Sequence, residues 1–217
     1  MTTTSPRYSL GEELAHSITH GLGAALSIAG MVVLVTLAAI RGDAWHVVSC
    51  AVFGASLIFL YTASTVYHGV THPGAKKVLR VFDHSAIFLL IAGTYTPFTL
   101  VTLRGGWGWT LFVIIWGLAL FGILYKVTAR NRYRFLSVLL YLVMGWLVLI
   151  AVKPMVDAVP PVGLWLLLAG GLCYTLGILF YAWKRLPYGH AVWHLFVMAG
   201  SVCHFFAVLL TVIPRAD

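Results

Sequence analysis

Val162-Gly-Leu-Trp-Leu-Leu-Leu-Ala-Gly-Gly-Leu-Cys-Tyr-Thr-Leu-Gly-Ile-Leu-Phe-Tyr-Ala-Trp183 runs for 22 residues without a charged side chain, between Pro160-Pro161 and Lys184. A helix needs about 20 apolar residues to cross a bilayer. A transmembrane β-strand would alternate over segments of about 10 residues. This run is continuous and twice that length, so it reads as a helical span over Val162–Lys184. Working outward, six more runs of the same kind occupy Ser17–Ile40, Ala44–Gly69, Leu79–Leu103, Trp107–Val127, Phe135–Val152 and His190–Ile213. The breaks carry turn residues: Arg41-Gly42-Asp43, His72-Pro73-Gly74, Arg104-Gly105-Gly106, Lys153-Pro154, Pro160-Pro161 and Leu186-Pro187. The expected fold is an all-α integral membrane protein, a bundle of seven transmembrane helices.

Composition agrees. Of the 217 residues 61% are hydrophobic and 9% charged, where a soluble domain carries roughly 25% charged residues. An ordinary soluble domain and a disordered chain are both excluded. Seven spans with short loops use nearly the whole chain, so residues 1–217 are read as one membrane domain with a short polar N-terminal segment, 1–16. No internal repeat or low-complexity stretch is visible. The polar start merges into a long apolar span, so no cleavable signal peptide is expected. Cys50, Cys173 and Cys203 lie inside apolar runs without CxxC spacing, which argues against a disulfide framework or a thiolate metal site.

The net charge of +8 has a topological source. With seven spans, the N-terminus shares a side with the second, fourth and sixth loops. That side holds ten of the fourteen Lys and Arg residues: Arg7, Lys76, Lys77, Arg80, Lys126, Arg130, Arg132, Arg134, Lys184 and Arg185. The other holds Arg41, Arg104, Lys153 and Arg215. The positive-inside rule then puts the N-terminus in the cytoplasm and the C-terminus outside. The basic balance implies contact with membrane lipids and no nucleic-acid partner. Trp45, Trp107, Trp109, Trp165 and Trp183 fall at span ends, as an aromatic belt requires.

Ionisable groups inside a membrane are costly and default to functional hypotheses. Nine histidines are present. His190-Ala-Val-Trp-His194 places two imidazoles on one helix face, about 6 Å apart along the axis. Such a pair can grip a metal, or can snorkel to the interface. His68 ends the second span on the same side, and Asp83 begins the third. Three imidazoles with an open fourth position form a familiar catalytic zinc arrangement. Ser64 lies one turn before His68, where its hydroxyl could steady an oxyanion. Asp83 has several readings: a helix cap, a partner of Arg80, an acceptor from metal-bound water, or a direct ligand. Glu12 and Glu13 are the other acids on that side available as a base.

His16 and His20 could cover the site, add a ligand, or form a plain interfacial helix start, the last being favoured. His204 lies about 21 Å deeper than His190, so it is expected to bond within the bundle or line a cavity. Pro97 is expected to kink the third span, with Thr94 and Thr96 satisfying freed carbonyls. His46 and His72 read as interfacial. His84 points roughly 100° away from Asp83 and is a weaker candidate.

Ser64-Thr-Val-Tyr-His68, Arg80-Val-Phe-Asp83-His84-Ser85 running into Gly93-Thr-Tyr-Thr-Pro97, His190-Ala-Val-Trp-His194, and Glu12-Glu13 to His20-Gly21 together resemble the bacterial haemolysin III family. That family is related to the progestin and adiponectin receptors and, more distantly, to alkaline ceramidases. The resemblance covers essentially the whole chain in the same order. It implies a zinc ion held by His68, His190 and His194, with Asp83 near the metal-bound water, and Ser64 as the matching serine. Its receptor branch is similar to a lipid amidase with a cavity opening to the membrane. It also implies a bacterial inner-membrane location.

The leading expectation is a zinc-dependent intramembrane hydrolase of a lipid-like amide or ester, with its site near the cytoplasmic leaflet. One alternative is a non-enzymatic membrane-homeostasis or sensor protein with structural zinc. Another is a pore-forming haemolysin-like protein, although the polar residues cluster at one end and form no stripe through the membrane. A transporter ranks last. The oligomeric state is left open.

Overall fold

The computed structural model describes residues 8–128 and 134–215. Arg7, Arg130, Arg132, Asp217 and the first seven residues of the N-terminal segment lie outside the described residues. Among the described residues eight α-helices follow in order: α1 (Leu10–Arg41), α2 (Ala44–Gly69), α3 (Pro73–Pro97), α4 (Gly106–Thr128), α5 (Arg134–Gly145), α6 (Val152–Ala158), α7 (Pro161–Ala182) and α8 (Gly189–Thr211). Among the described residues there is no strand. Seven units are long and apolar enough to cross a membrane, α5 and α6 counting as one over Phe135–Ala158. The outer surface is apolar: Val113, Leu120, Phe121, Leu124, Leu172 and Leu179 are all exposed. Such a surface suits lipid and not water. The protein is an integral membrane protein of seven transmembrane helices.

The second span has the predicted bounds. The first starts seven residues early, at Leu10. The reason is a capping box, in which Ser9 Oγ accepts from Glu12 N while the Glu12 carboxylate accepts from Ser9 N. The third also starts early, at Pro73, where a proline loses no hydrogen bond. His72 caps it by accepting from Ala75 N at 3.3 Å. Asp83 is therefore three turns inside α3, and its reading as a first-turn cap is corrected.

Pro97 ends α3 and leads into a π-helical turn over Phe98–Thr102, closed by Leu103 N donating to Phe98 O. The Thr94 and Thr96 hydroxyls donate to Leu90 O and Ala92 O. The carbonyl that Pro97 frees is that of Gly93, so the expected compensation is not what these hydroxyls provide. The connection to α4 needs glycine twice. Gly105 has φ +136°, and a Cβ on Gly108 would strike the carbonyls of Thr99 and Leu103.

The break expected at Lys153-Pro154 is also corrected. Both residues lie in the first turn of α6, where proline is tolerated. The real interruption is upstream, a 3₁₀ segment over Leu147–Ala151. Tyr95 bridges it, its hydroxyl donating to Met144 O at 2.9 Å and accepting from Val148 N at 2.9 Å. Trp146 Nε1 donates to Thr175 Oγ1 on α7 at 3.1 Å. Broken backbone deep in a membrane needs such partners.

Helices α1 to α4 pack sequentially, α5 leans on α3 and α4, and α7 pairs with α8, which closes against α1. Alternating direction brings the start of α1, the end of α2, the start of α3 and the start of α8 to one end of the bundle. Tyr61 of α2 donates to Ser201 of α8 at 2.7 Å, tying these helices together further in.

Candidate metal centre

Four imidazoles meet where α1, α2 and α8 converge. The ring of His16 is 4.7 Å from His68 and 4.7 Å from His190, centre to centre. His68 and His190 are 5.2 Å apart. His194 lies 4.7 Å from His190, and 5.4 Å from both His68 and His16. One donor atom from each of His16, His68 and His190 falls within 4.8 Å of the others. This group can hold a metal ion.

The local sequence explains the meeting. His190 and His194 sit one turn apart at the start of α8. His68 is the penultimate residue of α2. Glu13, His16 and His20 follow i, i+3, i+7 spacing on α1, hence one face. His16, His20 and His194 are 0–1% exposed and His68 3%. That face of α1 is turned inward, so the favoured reading of His16 as a plain interfacial residue does not describe its place.

Two of the rings are braced. His68 Nδ1 lies 2.6 Å from Glu13 Oε2, whose other oxygen accepts from Lys76 Nζ at 2.6 Å. His194 Nδ1 lies 3.2 Å from Thr19 Oγ1 and 3.2 Å from His16 O. Thr19 Oγ1 already donates to Ala15 O, so His194 Nδ1–H is the donor in both contacts. These bonds assign the protons to Nδ1 and leave Nε2 of each ring with a lone pair. Among the described residues, Nε2 of His68 and of His194, and both nitrogens of His16 and of His20, are buried without a hydrogen-bond partner. Several orphaned imidazole lone pairs at one point cost free energy as they stand. They fit a metal such as zinc, whose histidine ligands ordinarily donate their other N–H to a carboxylate or carbonyl.

The remaining predicted residues are placed as follows. Ser64 is 1% exposed on α2, and its hydroxyl has no partner among the described residues. Asp83 has a side chain 13% exposed, and its ion-pair partner is His84, Nδ1 to Oδ2 at 3.2 Å, not Arg80. Tyr141 of α5 donates to His84 O at 2.8 Å and secures this turn. Glu13 is engaged by His68 and Lys76 and is not a free base. Glu12 Oε1 accepts from Tyr188 N at 3.2 Å, tying α1 to the turn before α8. Tyr8 packs over the cluster, 4.8 Å from His16 and 5.4 Å from His190. His20 stacks on His194 at 3.4 Å.

A cavity of about 150 Å³ opens beside the histidines. His20, Asp83, His84 and His190 line one end, and His204 lines it further along α8. Its walls between are mainly apolar, with Leu60, Ile87, Leu90 and Val197 among them. His204 also bonds Leu167 O at 3.2 Å, so both expectations for it hold.

The sequence offers Glu13 only as a base and does not favour His16 as a ligand; the bracing of His68 by Glu13 and the inward place of His16 come from the packing. The signal was the i, i+3, i+7 spacing of Glu13, His16 and His20.

The chain is similar to known proteins over most of its length. The family model described as haemolysin-III related matches residues 8–205. "Hemolysin-3" of Bacillus cereus is 49% identical over 206 residues, covering 95% of this chain and 94% of that protein. The "Hemolysin-3 homolog" of Bacillus subtilis is 50% identical over 202 residues, covering 93% and 95%. The human "Monocyte to macrophage differentiation factor" is 29% identical over 205 residues, covering 91% and 83%.

Proposed function

The chain belongs to the haemolysin-III-related family, and on that premise we propose that it is a zinc-dependent hydrolase of a membrane lipid, cutting an amide or ester bond near one membrane face. One observation carries the reading: the partnerless Nε2 atoms of His68 and His194 lie next to an apolar cavity whose lining includes His20, His190 and Asp83. A metal donor set, a carboxylate and an apolar channel are what lipid hydrolysis requires together.

His68, His190 and His194 are the proposed zinc ligands. Zinc held there supplies Lewis acidity, polarising a carbonyl and making water acidic enough to react near neutral pH. Glu13 keeps the proton of His68 on Nδ1, so that Nε2 faces inward. The backbone of His16 and the hydroxyl of Thr19 do the same for His194. Asp83, steadied by His84, accepts the proton of the attacking water. The water oxygen joins the carbonyl carbon, the C–N or C–O bond breaks, and Asp83 returns the proton to the leaving nitrogen or oxygen. Ser64 Oγ donates to the developing oxyanion. The cavity towards His204 takes an acyl chain and keeps bulk water away.

The test is turnover of ceramide-like amides and acyl esters by detergent-purified, zinc-loaded protein. Asp83→Ala is expected to lower turnover by roughly 10²–10⁴-fold, the usual contribution of a general acid–base group, while elution volume and zinc content stay as in wild type. Equal turnover by the variant, or none by wild type on either lipid class, overturns the reading.

A structural metal is the second reading, favoured by one observation. The donor group of His68 and His190 also includes His16; with His194, 4.7 Å from His190 and 5.4 Å from His16 ring to ring, that makes four imidazoles, and four protein ligands close a zinc site. It predicts retained zinc and lost stability on chelation, with no lipid turnover.

A further inference from the structure

We infer that His16 of α1 is a fourth, exchangeable protein ligand, occupying the coordination position that a water or substrate oxygen must take. The inference rests on the reading that a metal sits among these histidines, and it adds how that site is closed.

The first argument is position. His16 shares its donor group with His68 and His190, all three donor atoms lying within 4.8 Å of one another. Nitrogens around a tetrahedral zinc lie about 3.3 Å apart, from Zn–N bonds of about 2.0–2.1 Å. Small ring rotations close that difference. Both nitrogens of His16 are buried and lack a hydrogen-bond partner among the described residues, so the ring loses no existing bond by ligating.

The second argument is bracing. Histidine ligands that stay in place donate their distal N–H to a carboxylate or carbonyl. His68 has Glu13 and His194 has the carbonyl of His16. His16 has no such brace among the described residues. It is therefore a donor that can leave at least cost. The polar links of its helix to the site run through Glu13 to Lys76 and His68, Glu12 to Tyr188, Ser17 Oγ to Thr65 O at 3.1 Å, and Thr19 Oγ1 and the His16 carbonyl to His194; none of them is made by the His16 ring. Movement of this one ring converts a closed site into an open one.

The test uses the full chain in detergent, loaded with cobalt in place of zinc, and azide as an exogenous ligand. The visible spectrum of His16→Ala is expected to differ from wild type before azide is added. Azide is expected to bind the variant at least about tenfold more tightly, because a competitor that fills the position most of the time weakens apparent affinity by that factor. Identical spectra and equal azide affinities overturn the assignment. X-ray absorption at the zinc edge of wild type needs no variant and is expected to fit four imidazole nitrogens. Three imidazoles with one shorter oxygen overturn it.

The two proposals fail separately. Four imidazoles without lipid turnover removes the hydrolase and keeps the ligand. Turnover with three imidazoles and an oxygen does the reverse. A wild type that takes up neither zinc nor cobalt overturns both.

Discussion

Lys76, Glu13 and His68 form a chain of two 2.6 Å contacts across α3, α1 and α2. Each end explains the middle. Lys76 holds one carboxylate oxygen of Glu13, and the other fixes the tautomer of a ring whose Nε2 faces the cluster. A carboxylate behind a metal-binding histidine typically accounts for roughly 10–100-fold in metal affinity. Glu13→Ala is therefore expected to weaken zinc binding by that factor while leaving the stoichiometry near one per chain. Competition against a chromophoric chelator measures it, and an unchanged affinity would reduce this contact to helix packing. Asp83 illustrates the same dependence on neighbours. Its partner is the adjacent His84 at 3.2 Å, and together they line the cavity that receives His20 and His190.

Two helical spans are interrupted within the membrane, the third by the π-helical turn after Pro97 and the fifth by a 3₁₀ segment. The span over Phe135–Ala158 breaks between α5 and α6, and a single hydroxyl spans the gap. Tyr95 serves Met144 O, Gly145 O and Val148 N at once. Lipid offers no substitute donor or acceptor. Tyr95→Phe leaves these groups short of a partner, which costs about 1–3 kcal/mol for a buried unsatisfied group. Denaturation in mixed micelles is expected to register a loss of that size with zinc content unchanged, since the break lies away from the histidines. Wild-type stability in the variant would mean that the segment finds other partners. The α7–α8 pair is built differently, by small residues. A Cβ on Gly163, Gly170 or Gly177 would meet Thr211, His204 or Phe196 of α8, the close approach that small residues permit between membrane helices.

At the scale of the whole molecule, the candidate metal centre and the basic residues share one end of the bundle. Lys76, Lys77 and Arg80 stand early in α3, Lys126 late in α4, and Lys184 and Arg185 between α7 and α8. By the positive-inside rule that end is expected to be cytoplasmic, which would set the site towards the inner leaflet. A C-terminal alkaline phosphatase fusion is expected to be active, and a C-terminal fluorescent-protein fusion dark. The opposite pattern would invert the molecule and move the site to the outer leaflet. Trp107, Trp109 and Trp165 at the far end, and Trp183 at the near end, are all 47–69% exposed, as anchors at the two interfaces should be.

Seven spans were legible because run length against bilayer thickness is a one-dimensional property, which needs no partner helix. The same holds for the end of the bundle at which His68, His190 and His194 lie, since alternating direction follows from counting spans. Helix starts were less legible. Polar residues such as Glu13 and His16 lowered the hydropathy of the first two turns of α1, although they point inward. Beyond the polar face of α1 marked by Glu13, His16 and His20, the rotation of the helices about their axes was poorly legible. In water a buried face announces itself by its apolar stripe, but in lipid α4 and α7 are apolar on every side, and the inside carries no distinct pattern. Only packing decided that His16 joins His68 and His190, that Glu13 reaches His68, and that Asp83 pairs with His84. Contacts of 3–5 Å depend on those rotations, and the rotations are set by how neighbouring helices fit one another.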